Sequence, residues 1–301
     1  MRYVITQLWF GFDQEIEISE DDFKDLQEAR KKVLLLASLE DKFMLLLENY
    51  EELEQEMLRL SLHQMIYFDY SMPAFIDNLR LLNRRFANLL TTCRLYKHHS
   101  AHDVSTIYGK NSKQFTDYDE LHSKHHKQNL SYRVMEAARN FLQHRSLIIS
   151  GTTYQINRIK EENRVAHSGL VNLNVEKLSE DGGFKSSVLS ELKAIADTKG
   201  NVDIRPLVRE YISSLGEIHG ELRKMFEDDA ARFDSMILDA IQRLNSLSGE
   251  NRDSVYVASY KDGGGISKEF PLLRDFVERR HRIIEKTKHI EHYFTAYVSS
   301  K

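Results

Sequence analysis

Cysteine is almost missing from these 301 residues, and proline occurs only three times. A lone Cys93 forms no internal disulfide and no cysteine-based zinc site, which points to a reducing, cytoplasmic home. Long apolar runs are missing too. No stretch reaches the roughly 20 residues that cross a bilayer, so no membrane association is expected. The run from Met1 to Phe12 is apolar but short, and it meets Asp13 too soon for a signal peptide. No internal repeat or low-complexity tract interrupts the chain. The 41% of hydrophobic residues recur at regular spacing, enough for a core in one large or two modest domains.

The net charge of -4 argues against a surface wholly given to nucleic acid, but the charge is uneven. Residues 13–56 carry 15 acids against 5 bases, whereas residues 78–145 carry 12 Lys and Arg against 5 acids and hold seven histidines. Either the two segments pack together, or the basic one is kept for a phosphate-rich ligand.

The pattern predicts a mainly α protein with a small antiparallel β element and further long helices. Short β-prone runs at Tyr3–Phe10 and Glu15–Ile18 flank Gly11 and suggest a hairpin. Ser19 followed by acids reads as a helix start, with helical periodicity over about 22–60. Pro73 suits the first turn of the next helix, whose stripe runs Phe75, Leu79, Leu82, Phe86, Leu89, Leu90, Cys93, Tyr96. Residues 98–118 are polar, hold Gly109 and read as a loop with room for a short helical piece. A helix over about 120–145 packs through Leu130, Val134, Ala137, Ala138, Phe141 and Leu142. Strands are expected near 147–156 and 165–175, with a turn at Asp181-Gly-Gly and helices over 186–196 and 204–247. Asp203 and Pro206 open the last of these. A strand over 253–260, a turn at Asp262-Gly-Gly-Gly and a helix over 270–297 complete the reading. Two domains are expected, 1–150 and 151–301.

The stretch Arg139-Asn140-Phe141-Leu142-Gln143-His144-Arg145 gathers the chemistry. Asn140 and His144 lie one turn apart on one helical face, and the long side chain of Arg139 can sweep toward it. An imidazole can move the proton of a ribose 2′-hydroxyl or of a leaving oxygen. A guanidinium can hold phosphoryl oxygens as charge develops, and the amide can orient either group. No metal or other cofactor is required. Arg84, Arg85, Arg94 and Arg145 are the candidate RNA-binding residues around it. The alternative is that Arg139 and His144 only satisfy helix-end carbonyls or neighbouring acids.

Arg139-Asn140-x-x-x-His144 resembles the R-x4-6-H motif of HEPN (higher eukaryotes and prokaryotes nucleotide-binding) domains. The segment Leu82-Asn83-Arg84-Arg85-Phe86-Ala87-Asn88-Leu89-Leu90 is similar to the Asn/Arg-bearing helix of bacterial HEPN-like proteins. The resemblance spans about residues 20–150. It implies a helical bundle in a homodimer whose motifs share a cleft, and a metal-independent endoribonuclease of toxin or phage-defence type. That implies RNA as substrate and an antitoxin or operon-encoded protein as partner. Other members are catalytically silent modules that bind RNA or protein.

The remaining candidates have plainer readings. His122-x-x-His125-His126 has metal-ligand spacing but also suits a solvated helix start. His98, His99 and His102 read the same way, although they lie in the basic segment and could touch phosphates. Asp262-Gly-Gly-Gly lacks the Lys-Ser/Thr of a P-loop, and Ser168-Gly169 has no nucleophile-elbow pattern. Trp9, Phe10 and Phe12 suit packing better than base stacking. Arg279-Arg280-His281-Arg282 is a basic patch on the terminal helix.

Overall fold

A computed structural model describes residues 1–7, 14–161 and 163–289. Trp9, Phe10, Gly11 and Phe12 lie outside them, as does the expected end of the last helix at Tyr297. The protein is mainly α-helical with small antiparallel sheets. Among the described residues, no helix is long and apolar enough to cross a membrane. The chain divides into two compact units, and not at residue 150: Met1–Lys42 with Glu221–Lys288 form one, and Phe43–Gly220 form the body of the other.

The first unit is a sheet covered by helix. Strands β1 (Arg2–Thr6), β2 (Glu15–Ile18), β6 (Ser254–Tyr260) and β7 (Ile266–Leu273) form an antiparallel sheet in the order β2-β1-β6-β7. The expected hairpin is therefore half of a larger sheet, with Val4 opposite both Glu17 and Ala258. Segment 270–273, expected as helix, is strand: Phe270 pairs with Val257 across the turn at 262–265. Helix α1 (Glu20–Tyr67) starts as expected, because Ser19 and Asp22 cap each other reciprocally: Asp22 N–H donates to Ser19 Oγ at 3.0 Å, and Ser19 N–H donates to Asp22 Oδ2 at 3.1 Å. The first half of α1, the second half of α7 (Ile204–Ser248) and α8 (Arg274–Lys286) supply the helical layer. Ile5, Phe23, Leu26, Ile237, Ile241, Val257 and Phe270 share the core.

The second unit is the helical one. Helix α2 (Met72–Tyr108) has Ser71 as its N-cap and a proline in its first turn. Its stripe is buried from Leu82 through Tyr96, while Phe75 stays partly exposed. The expected loop over 98–118 is instead helix on both sides of a short link. α2 continues to Tyr108 and stops at Gly109, whose φ of +91° suits glycine, and α3 (Lys113–Gln128) begins at the cap Ser112. The polar residues misled because Ser100 and Asp103 are buried there and Ser100 Oγ bonds the Tyr96 carbonyl at 2.7 Å. The single helix expected over 120–145 is broken at Asn129, which closes α3 with its N–H and opens α4 (Leu130–His144) with its side chain. Strands β3 (Ile149–Ile159), β4 (Arg164–Asn174) and β5 (Asn201–Asp203) form a second antiparallel sheet, and α5 (Val175–Asp181) and α6 (Ser186–Ile195) follow β4. Asp203 Oδ1 accepts the N–H of Arg205 at 3.2 Å and so opens α7, as its sequence position suggests.

One amide ties these elements together. Asn83 is buried on α2; its Oδ1 accepts from the N–H groups of Ile148 (3.2 Å) and Ile149 (3.0 Å), and its Nδ2 donates to the Ile149 carbonyl (2.9 Å). Replacing Asn83 by Leu strands three buried backbone groups. We expect a loss of about 3 kcal/mol in urea unfolding, while Arg84→Leu, on an exposed neighbouring position, stays within about 0.5 kcal/mol of wild type.

Candidate nucleic-acid interface

Helices α2 and α4 are in contact, with Leu82, Phe86, Leu89 and Cys93 buried on the first and Val134, Ala138 and Phe141 buried on the second. That packing sets a row of cations along the pair. From α4, Arg139 is half-buried, its Nη1 donates to Asn140 Oδ1 at 3.1 Å, and its Nε is buried without a hydrogen-bond partner among the described residues. From α2 come Arg94, Lys97 and His98. The His98 imidazole is held below its usual range by desolvation and then by the charges of Arg94 and Arg139. A carboxylate joins two of them: Glu136 lies 3.6 Å from both Arg94 and Lys97, and the Tyr211 hydroxyl donates to it at 3.4 Å.

The other predicted residues are distributed differently. His144 is exposed in the last turn of α4, and among the described residues no hydrogen bond or ion pair joins it to Arg139 or Asn140. Five residues of helix turn it about 140° from Arg139, whereas Asn140 stays within about 40° of it. Asn140 is therefore the residue that touches Arg139 and also shares His144's face. Arg145 caps the helix and lies over Gly183; a Cβ there would come within 2.8 Å of its Nε. Arg84 is exposed on α2, and Arg85 is paired with Glu52 of the acidic segment. In the sequence, His98 stands out only as part of a histidine cluster, and Lys97 and Glu136 are missed. The spacing Arg94-x-x-x-His98 signals one helical face only when α2 is known to continue past residue 98.

The histidine triplet on α3 is a packing device. His122 Nδ1 lies 2.7 Å from the Tyr132 hydroxyl, and burial pushes its pKa down to about 3. His125 Nε2 lies 3.6 Å from Glu217. Among the described residues no three His, Cys, Asp or Glu groups converge as a metal site. Burial raises the Cys93 thiol well above its usual range, which leaves it a poor nucleophile.

The first unit has a cavity of about 370 Å³ lined in part by Leu39, Phe226, Ala230 and Ile284. Two buried ion pairs border it. Arg223 grips Glu40 through two bonds of 2.9 and 2.6 Å, and Asp234 Oδ2 meets Arg280 and, at 3.0 Å, His281. Arg279 pairs with Asp41 at 2.9 Å and Arg282 with Asp275 at 3.1 Å, so the basic patch of α8 is answered by acids.

Compared with family models, curated proteins and solved structures, the chain matches none of them.

The buried His122 makes stability depend on pH. Its folded pKa lies below the unfolded value of 6.5, so between these values the unfolded chain binds more protons. The contribution of His122 is intact above pH 6.5 and declines as pH falls toward about 3, by up to about 1.4 kcal/mol per pH unit. Urea midpoints between pH 7 and pH 4 should drop for wild type, and drop less steeply for His122→Gln.

Proposed function

We propose that the protein is a metal-independent endoribonuclease acting at the surface shared by α2 and α4, of the toxin or phage-defence type that its HEPN resemblance implies. One observation carries this reading. The Arg139 guanidinium is oriented by Asn140 among Arg94, Lys97 and His98, with Glu136 as the carboxylate against them. Three partly buried cations, Arg94, Lys97 and Arg139, beside one neutral imidazole favour a polyanion. Arg139 holds the phosphoryl oxygens, and Asn140 orients it. His144 takes the proton of the ribose 2′-hydroxyl; the 2′-oxygen bonds to phosphorus, and the 5′-oxygen leaves with a proton, giving a 2′,3′-cyclic phosphate. Arg84 and Arg94 guide the strand, and a second copy of the chain supplies a second motif.

A silent RNA-binding or protein-interaction module is the alternative. It is favoured by the separation of His144 from Arg139 around α4. In that case the cationic row binds RNA, but proton transfer is not organised.

Incubation with single-stranded RNA in excess chelator separates the two. The endoribonuclease cleaves under these conditions, and Arg139→Ala and His144→Ala each lower the rate by about 10²-fold or more. Arg94→Ala weakens binding and reduces its salt dependence. Salt-dependent binding with no cleavage by the folded wild type leaves the module, and absence of both removes both readings.

A further inference from the structure

The cavity of the first unit takes no part in the proposed chemistry. Its volume of about 370 Å³ falls within the range of small-molecule sites, about 300–1,000 Å³. Helix α7 forms one wall. Glu227, Ala230, Ala231 and Asp234 line it at spacings i, i+3, i+4 and i+7, so two carboxylates flank two alanines on one helical face. The methyl side chains leave a recess that longer ones would fill. Leu36 and Leu39 of α1, Phe226 of α7 and Ile284 of α8 supply apolar surface around it.

The polar groups select the occupant. Two of the three carboxylates that line the cavity are held by arginine, Glu40 by Arg223 and Asp234 by Arg280. Lys224 reaches Glu221 at 2.7 Å. Glu227 is left over: among the described residues, no hydrogen bond or ion pair engages it. Asp234 is satisfied on one side only. Its Oδ2 takes Arg280 and, at 3.0 Å, His281, whereas its Oδ1 is buried with no partner among the described residues. Arg280 Nε lacks a partner as well, but so do four other arginine Nε atoms among the described residues, so it distinguishes nothing. Asp234 Oδ1 is the one carboxylate oxygen among them in that condition, and a buried acceptor left unpaired is costly.

An ammonium group supplies what is missing. It brings N–H donors for Asp234 Oδ1 and a positive charge to balance Glu227, while an apolar body covers the remaining wall. An anion would meet two carboxylates instead. We infer that the cavity binds a small apolar amine carrying one positive charge, with its ammonium on Asp234 and its hydrocarbon body against Leu36, Leu39, Phe226 and Ile284. The inference does not depend on RNA cleavage.

Isothermal titration calorimetry of the full chain tests it with two hydrocarbon bodies, each in three charge states. Tryptamine and n-octylamine are compared with neutral tryptophol and octan-1-ol and with anionic indole-3-acetate and octanoate. At least one amine should bind with a dissociation constant of about 100 μM or tighter, about 10-fold better than its alcohol, and the acid should bind weakest. Glu227→Gln, at an exposed position, should weaken the amine about 5-fold and leave the alcohol unchanged. Asp234→Asn should abolish the preference for the amine. Should that variant unfold for want of the Arg280 ion pair, Ala231→Leu decides. It fills the recess from an exposed position, and it should block every ligand with an unchanged circular-dichroism melt. Arg139→Ala should bind the amine as wild type does, which separates this result from the fate of the nuclease reading. A wild type that binds neither amine below about 1 mM, equal affinity for amine and alcohol, or amine binding indifferent to the folded variants overturns the inference. Tighter binding of either acid overturns it in favour of an anionic ligand.

Discussion

The candidate site depends on a buried amide that carries no part of its chemistry. Asn83 holds the backbone of Ile148 and Ile149, just past the end of α4, against the middle of α2. With the exit of α4 pinned there, the apolar stripes of the two helices meet in one register, and the outward positions one layer away are set. Arg139 consequently comes close enough to His98 for its charge to depress the imidazole. An apolar residue of similar size at position 83 would pack, but it would leave backbone donors unsatisfied, and the strand that follows would lose its starting point. Fold and site thus share one constraint.

Arginines in the two units meet opposite fates. Arg280 is buried against Asp234 and Arg223 is partly buried against Glu40, and their charge is spent within the protein. Arg94 and Lys97 share the one carboxylate of Glu136, and Arg139 bonds the amide of Asn140 rather than an acid. Partial burial raises the cost of like charges held together and the gain from an anion that arrives between them. A count of basic residues along the chain cannot separate these cases. The Arg279–Arg282 run is the denser of the two in sequence and is the one already neutralised.

What could be read from residues alone follows the range of the interactions. The capping pair Ser19–Asp22, the opening of α7 at Asp203 and the α2 stripe are local, and each was legible. The pairing of β1 with β6 joins residues some 250 positions apart, and no local pattern announces it. Residues 98–118 failed for a different reason: their polar side chains are used inward, with Ser100 and Tyr118 bonded to each other at 2.6 Å, so hydropathy misreported their burial. The same failure hid part of the site. Arg139, Asn140 and His144 stand out as a motif, but His98 falls in the supposed loop and Lys97 at its edge. The relation of Arg139 to His144 also came out differently, because five residues of helix rotate the two apart and only Asn140 connects their faces.

The division near residue 150 has a similar origin. Composition changes there, from helical periodicity to β-prone runs, and a linear reading takes such a change for a boundary. Yet the hairpin β1–β2 needs β6 to complete its sheet, and β6 follows α7, a hundred residues beyond that point. Likewise the pinned exit of α4 is residue 149 itself, so a cut at 150 would release the peptide that Asn83 holds. α1 and α7 each give one half to either unit. The first unit is therefore assembled from two segments far apart in sequence, which no single linear boundary separates from the rest.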